Sequence, residues 1–259
     1  MRRLLAGALL ALTAAGCGSS SPRYVAEAAT PETVVDGEAA EWPSALRPVP
    51  SESGLSIGLR HDGDDLVVAV IAGDDRQARR IALGGLRLWI DPMGGTDPAL
   101  GLRYPAPEAP DFRSVARSGP RRGGPDTGLD PTRLRRQFEA GLDEVEVTRG
   151  VLTQRTAVDG TFGGLQAAST WGPRGLVVEF RVPLGAAPGL LAAPAGDAVG
   201  LGVELLDVSR AALRQRAMRS PAFSNAPEDR ISPPSEVPAM DPEEPDYATV
   251  TRWLRVELE

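Results

Sequence analysis

The chain has 259 residues, 28 basic and 35 acidic, for a formal net charge of −7, and 42% of it is hydrophobic. That is enough apolar content for a buried core in one large β domain or two small ones, and it excludes a chain disordered throughout or one crossing a membrane many times. All 28 basic residues are arginine, and the acidic balance argues against nucleic acid as a partner.

Residues 1–16 open with Arg2 and Arg3, continue in an apolar run and end in small residues, the pattern of an export signal. The run is shorter than the roughly 20 apolar residues a membrane span needs. Ala14-Ala15-Gly16-Cys17 resembles a bacterial lipobox, although the leucine usual three residues before the cysteine is Ala14 here. The resemblance implies cleavage before Cys17 and acylation of its sulfur and new amine, giving a lasting membrane anchor. Cys17 is the chain's only cysteine, so no internal disulfide is available. Gly18 follows it in place of the aspartate that resembles an inner-membrane retention signal, so the expected destination is the outer membrane.

Residues 17–32 are small and polar, which predicts a flexible tether before a single domain at 33–259. Apolar residues then recur with period two at 55–60, 85–91, 176–182, 199–205 and 250–258, while 66–72 is apolar on both faces. These segments predict a mainly β fold, an antiparallel β-sandwich of jelly-roll-like form with one or two short helices. Two insertions, 105–142 and 209–247, interrupt the pattern. Within the first, Asp130-Pro131 is an N-cap and first position for a helix to Ala140, with Leu134 and Phe138 facing the core and Gly141 as the stop. Within the second, 219–247 is rich in prolines and acids and reads as a long loop.

Three stretches resemble the family 9 carbohydrate-binding modules and the wider DOMON-like group. They are Val34-Val35-Asp36-Gly37-Glu38-Ala39-Ala40-Glu41-Trp42, then Asp64-Asp65-Leu66-Val67-Val68-Ala69-Val70, then Val178-Glu179-Phe180-Arg181-Val182-Pro183-Leu184. Val67 stands where the group usually has tyrosine. The resemblance covers residues 33–258 and implies a β-sandwich that binds glycans through aromatic side chains, with calcium in some members. Some DOMON-like relatives hold haem iron through Met and His, for which His61 and Met93 are the pair available here. A surface-turn role for His61 is the stronger reading.

Trp89 is the sharpest candidate for a binding residue. With Leu86, Leu88 and Ile90 directed inward, Arg87, Trp89 and Asp91 share the opposite strand face. A flat ring between a donor and an acceptor suits the apolar face and hydroxyl edge of a pyranose. The alternative is that Trp89 lies beneath the 105–130 insertion in a second small core. Trp253 is placed similarly beside Arg255 and Glu257, and Trp42 reads as structural. The 91–97 loop offers Asp91 and Asp97 to calcium, or is a plain Gly-rich turn.

Catalysis lacks a signature. Gly54-Leu55-Ser56-Ile57-Gly58 matches a nucleophile-elbow pattern but lies within an alternating strand rather than at a strand-to-helix turn. His61 is the only histidine, and nothing in the sequence sets Glu179 opposite Glu204. The expected protein is a non-catalytic, envelope-anchored binding lipoprotein recognising a carbohydrate through Trp89, Arg87, Asp91 and Trp253. The alternative is a structural or assembly subunit that docks on another envelope protein.

Overall fold

The computed structural model describes residues 21–30, 33–52, 54–63, 65–106, 131–185, 197–206 and 249–258. They form twelve strands and two helices: β1 (Arg23–Ala28), β2 (Arg47–Pro48), β3 (Leu55–Asp62), β4 (Asp65–Ala72), α1 (Asp75–Gly84), β5 (Leu86–Asp91), β6 (Leu100–Tyr104), α2 (Pro131–Glu139), β7 (Glu144–Arg149), β8 (Leu152–Ala157), β9 (Gln166–Gly172), β10 (Gly175–Pro183), β11 (Ala198–Leu205) and β12 (Val250–Leu258). The fold is mainly β, and every strand expected from period two is present. Among the described residues no helix is long and apolar enough to cross a membrane.

The strands follow one curled path, β8-β7-β6-β5-β11-β12-β1-β3-β4-β10-β9, with β2 beside β3. We call the β8-to-β12 part sheet A and the β3-to-β9 part sheet B; β1 joins them. Its first four residues pair with β12, as in Ala26 with Leu258, and its last two, Glu27 and Ala28, pair with Arg60 and His61 of β3. Both pairings are parallel, whereas the other pairings in the path are antiparallel.

This corrects the reading of 17–32 as a flexible tether throughout. Residues 23–28 form a strand because two sheet edges meet there and need a main-chain partner. The strand contributes little apolar surface, with Ala26 buried and Tyr24 packed on the core, so its sequence carries no strong β signal.

The core fills the space between the sheets. Leu55, Ile57 and Leu59 of β3, Val68 and Val70 of β4 and Phe180 of β10 meet Leu88 and Ile90 of β5, Leu102 of β6 and Leu201 of β11 in one buried cluster. α1 and α2 add Ile81, Leu134 and Phe138 to it, so the helix expected after Asp130 buries the two residues assigned to it. α1 went unread in the sequence. Its start is signalled by Asp74, whose carboxylate accepts from the Gln77 N–H at 2.7 Å as an N-cap.

The remainder of the first insertion, 107–130, and the loop at 207–248 lie outside the described residues, as do residues 1–20 with Cys17.

Candidate functional site

In sheet A, β5, β6, β7, β11 and β12 direct alternate side chains into the core, as Leu86, Leu88 and Ile90 of β5 do, which leaves the others on the outer face. The observed register arranges that face in three cross-strand rows. Gly101 of β6, Trp89 of β5, Gly202 of β11 and Trp253 of β12 stand opposite one another in the central row. Two residues away along the strands, Glu146 of β7, Arg103, Arg87, Glu204 and Thr251 form a polar row. On the other side, Asp91, Gly200 and Arg255 form a third.

Glycine at 101 and 202 decides how the tryptophans lie. A Cβ built on Gly101 would meet Cζ3, Cε3 and Cη2 of Trp89 at 2.6, 2.8 and 3.0 Å. Such close similarity for three consecutive ring atoms places the point above the ring plane rather than beside its edge. A Cβ on Gly202 would meet Cε2 and Cδ2 of Trp253, the two ends of its ring-fusion bond, at 3.1 and 3.2 Å. Both indoles therefore rest face-down on the glycine of the neighbouring strand, tipped in the same direction. Both remain partly exposed.

The polar row fixes Trp89 further. Its indole N–H donates to Glu204 Oε2 at 2.5 Å, and the Arg87 guanidinium stands 5.3 Å from the ring centroid. Arg87 bridges Glu204 at 3.4 Å and Glu146 at 3.1 Å, and Arg103 grips Glu146 with a two-pronged contact at 3.0 and 2.6 Å. Burial works to raise the Glu146 carboxyl, but the two arginines prevail and hold it below the ordinary glutamate value. Thr251 donates to Glu204 at 3.3 Å.

The third row is walled by a loop. Asp91 is buried, and its carboxylate accepts the backbone N–H groups of Met93, Gly95 and Asp97 at 2.8, 3.0 and 2.9 Å. Arg255 holds the same loop by donating to the Gly94 carbonyl at 2.9 Å. Asp91 thus shapes the wall beside Trp89 and Trp253 rather than offering a free acceptor in front of the rings. Both carboxylate oxygens of Asp91, the residue expected to offer itself to calcium, accept loop amides.

A second Trp–Glu pair lies on the outer face of sheet B and is closed. Trp42 is fully buried, rests on Gly58 and donates to Glu179 Oε1 at 2.6 Å, with Arg60 stacked 4.9 Å from its ring centroid. Glu179 Oε2 accepts from the Asp36 and Gly37 N–H groups at 2.9 and 2.7 Å, which ties residues 36–42 down on β10. Burial pushes the Glu179 carboxyl up to about 7; its three N–H partners oppose the shift, and the Glu41 charge adds to it. Asp36, Glu41 and Glu179 bring carboxylate oxygens within 4.8 Å of one another.

Several sequence candidates separate here. Glu179 and Glu204 stand on different sheets, each partnered by its own tryptophan, so they form no catalytic pair. Ser56 lies within β3, which leads to β4 rather than a helix. His61 ends β3 in sheet B while Met93 follows β5 in sheet A, exposed at 73%. Trp171 packs its edge against Phe138 with centroids 5.9 Å apart. Sequence reading missed the part of Gly101 and Gly202. The available signal was a glycine at outward positions of β6 and β11, in Leu100-Gly101-Leu102 and Gly200-Leu201-Gly202.

No family model matches the chain, and no curated protein matches it. It is similar to a solved family 9 carbohydrate-binding module from Caldicellulosiruptor kristjanssonii in complex with glucose, at 12% identity and a TM-score of 0.36, over 92% of this chain and 95% of that one. It is also similar to a family 9 module from the same organism in complex with cellotriose, at 14% identity and a TM-score of 0.33, over 73% and 79%. These likenesses fall in the family whose motifs the sequence resembles.

Proposed function

We propose that the protein is a non-catalytic carbohydrate-binding module, held at the cell envelope through a lipid on Cys17 and facing its ligand with the outer surface of sheet A. The observation that carries the reading is the central row, in which the partly exposed Trp89 and Trp253 lie on Gly101 and Gly202 and offer aromatic surface to the apolar side of a sugar. Arg87 and Glu204 border them, where their remaining donor and acceptor capacity can meet hydroxyl groups. The face favours binding over hydrolysis because its carboxylates are committed: Glu146 to two arginines, Glu204 to Trp89, Arg87 and Thr251.

Calorimetric titration of the purified protein with soluble sugars, alongside Trp89→Ala, tests the reading. Saturable binding lost in the variant is expected. A folded protein that binds no sugar would overturn it and favour the docking of another envelope protein on this face. The anchor is tested separately by metabolic labelling with a fatty acid, which Cys17→Ser is expected to abolish.

A further inference from the structure

We infer that this face takes an extended, uncharged glycan laid flat across the strands and covering at least two sugar units, rather than a single sugar or chain end gripped between rings. The inference rests on the carbohydrate reading above and specifies its ligand.

Three observations lead to it. First, the two rings are tiles and not jaws. Each lies face-down on its neighbour's glycine and both tip toward β6, so the two rings lie side by side rather than facing each other, partly exposed and with Arg87 over part of the Trp89 ring. One strand, β11, separates β5 from β12, so the tryptophan backbones stand about 10 Å apart, two strand spacings. One pyranose, scarcely larger than the six-membered ring of an indole, covers one tile. A chain running along the row covers both, and the row continues over β7 and β8 through Thr148 and Thr153, whose hydroxyls lie 3.2 Å apart.

Second, the neighbouring charges cancel in pairs. Arg87 and Arg103 meet Glu146 and Glu204, and Arg155 meets Glu144 at 3.6 Å, three arginines against three glutamates. On the polar-row side a charged sugar would have to break one of these pairs to gain a partner, whereas hydroxyl groups need only their spare lone pairs and N–H directions; Arg255, in the third row, is held by the Gly94 carbonyl.

Third, the polar row and the loop wall flank the aromatic row on either side without crossing it. The wall packs on Gly200, the polar row runs through Glu204, and Gly202 lies between them. Among the described residues, neither flank crosses the aromatic row, as an internal segment of a chain requires.

The test is a length series. Gluco-, manno-, xylo- and chito-oligosaccharides of one to six units are titrated into the purified protein, and retention on insoluble cellulose, mannan, xylan and chitin is measured with polygalacturonate as the charged control. Affinity in at least one series is expected to rise at least tenfold from one unit to four, with retention on the matching polymer. Gly202→Ala, which lifts Trp253 while keeping both rings, is expected to lose that gain. Trp253→Ala is the second variant should the first fail to fold.

A monosaccharide bound as tightly as its tetramer would overturn the flat-chain inference and leave the carbohydrate reading standing. So would full oligomer affinity in folded Gly202→Ala. Tighter binding to polygalacturonate than to every neutral polymer would overturn the uncharged assignment. Failure to bind any sugar, short or long, would overturn the carbohydrate reading itself.

Discussion

Trp89 and Glu204, 115 residues apart in sequence, are joined across β5 and β11 by a 2.5 Å hydrogen bond from the indole to a carboxylate that also receives Arg87. The bond consumes the indole's polar edge and fixes the ring, which stays partly exposed. Glu204→Ala should free the ring and leave Arg87 with Glu146 as its one remaining acid partner of the two, and oligosaccharide binding should weaken about tenfold, which is about 1.4 kcal/mol. Glu204→Gln retains an acceptor oxygen and should keep most of the affinity. Calorimetry on both variants, with indole fluorescence to follow Trp89, checks the difference.

Glu179 and Glu146 should give stability opposite dependences on pH. The folded pKa of Glu179 is raised to about 7 from 4.5, so the folded state holds this proton more tightly than the unfolded chain. Its contribution is complete below the unfolded value and is lost as pH rises through about 7, by about 3 kcal/mol in all. The groups facing it are Asp36, Glu41 and Trp42, with Arg60 beyond the indole. Glu146 is lowered, so its contribution is present above its unfolded value of 4.5 and is lost as pH falls through the folded one. Urea unfolding at pH 3, pH 5 and pH 8 separates them, the lower pair reading Glu146 and the upper pair Glu179. Relative to wild type, Glu179→Gln should gain stability from pH 5 to pH 8, while Glu146→Gln should cost the same at pH 5 and pH 8 and less at pH 3.

Asp91→Ala removes the acceptor for three loop amides, and unfolding should become easier by about 1–3 kcal/mol. Thermal unfolding of the wild type should show no change on adding calcium or a chelator, because those amides already occupy the Asp91 carboxylate. A midpoint that rises with calcium and loses the rise in Asp91→Ala would contradict this account of the loop.

Ala26→Asp tests the seam between the sheets. Ala26 is 1% exposed within the strand that both sheets share, and an unpaired carboxylate there should cost about 3 kcal/mol or more. A urea midpoint unchanged from wild type would show that β1 contributes nothing to holding the sheets together.

The sequence by itself determined the β architecture and the strand face on which Trp89 and Trp253 stand. Period-two alternation is a local property, so Leu86, Leu88 and Ile90 direct Arg87 and Trp89 outward whatever lies beside β5, and Leu254 and Val256 do the same for Trp253. Asp130-Pro131 likewise signalled α2, because capping is settled within one helical turn. Strand pairing is different in kind: it joins residues far apart in the chain, and no local period reports which strands become neighbours. Only the tertiary structure decided that Gly101 and Gly202 lie beneath Trp89 and Trp253, that Glu204 joins Trp89 while Glu179 joins Trp42, and that Asp91 turns to its own loop. It also decided that residues 23–28 form a strand, since β1 is held by the backbone groups of two sheet edges more than by its own side chains.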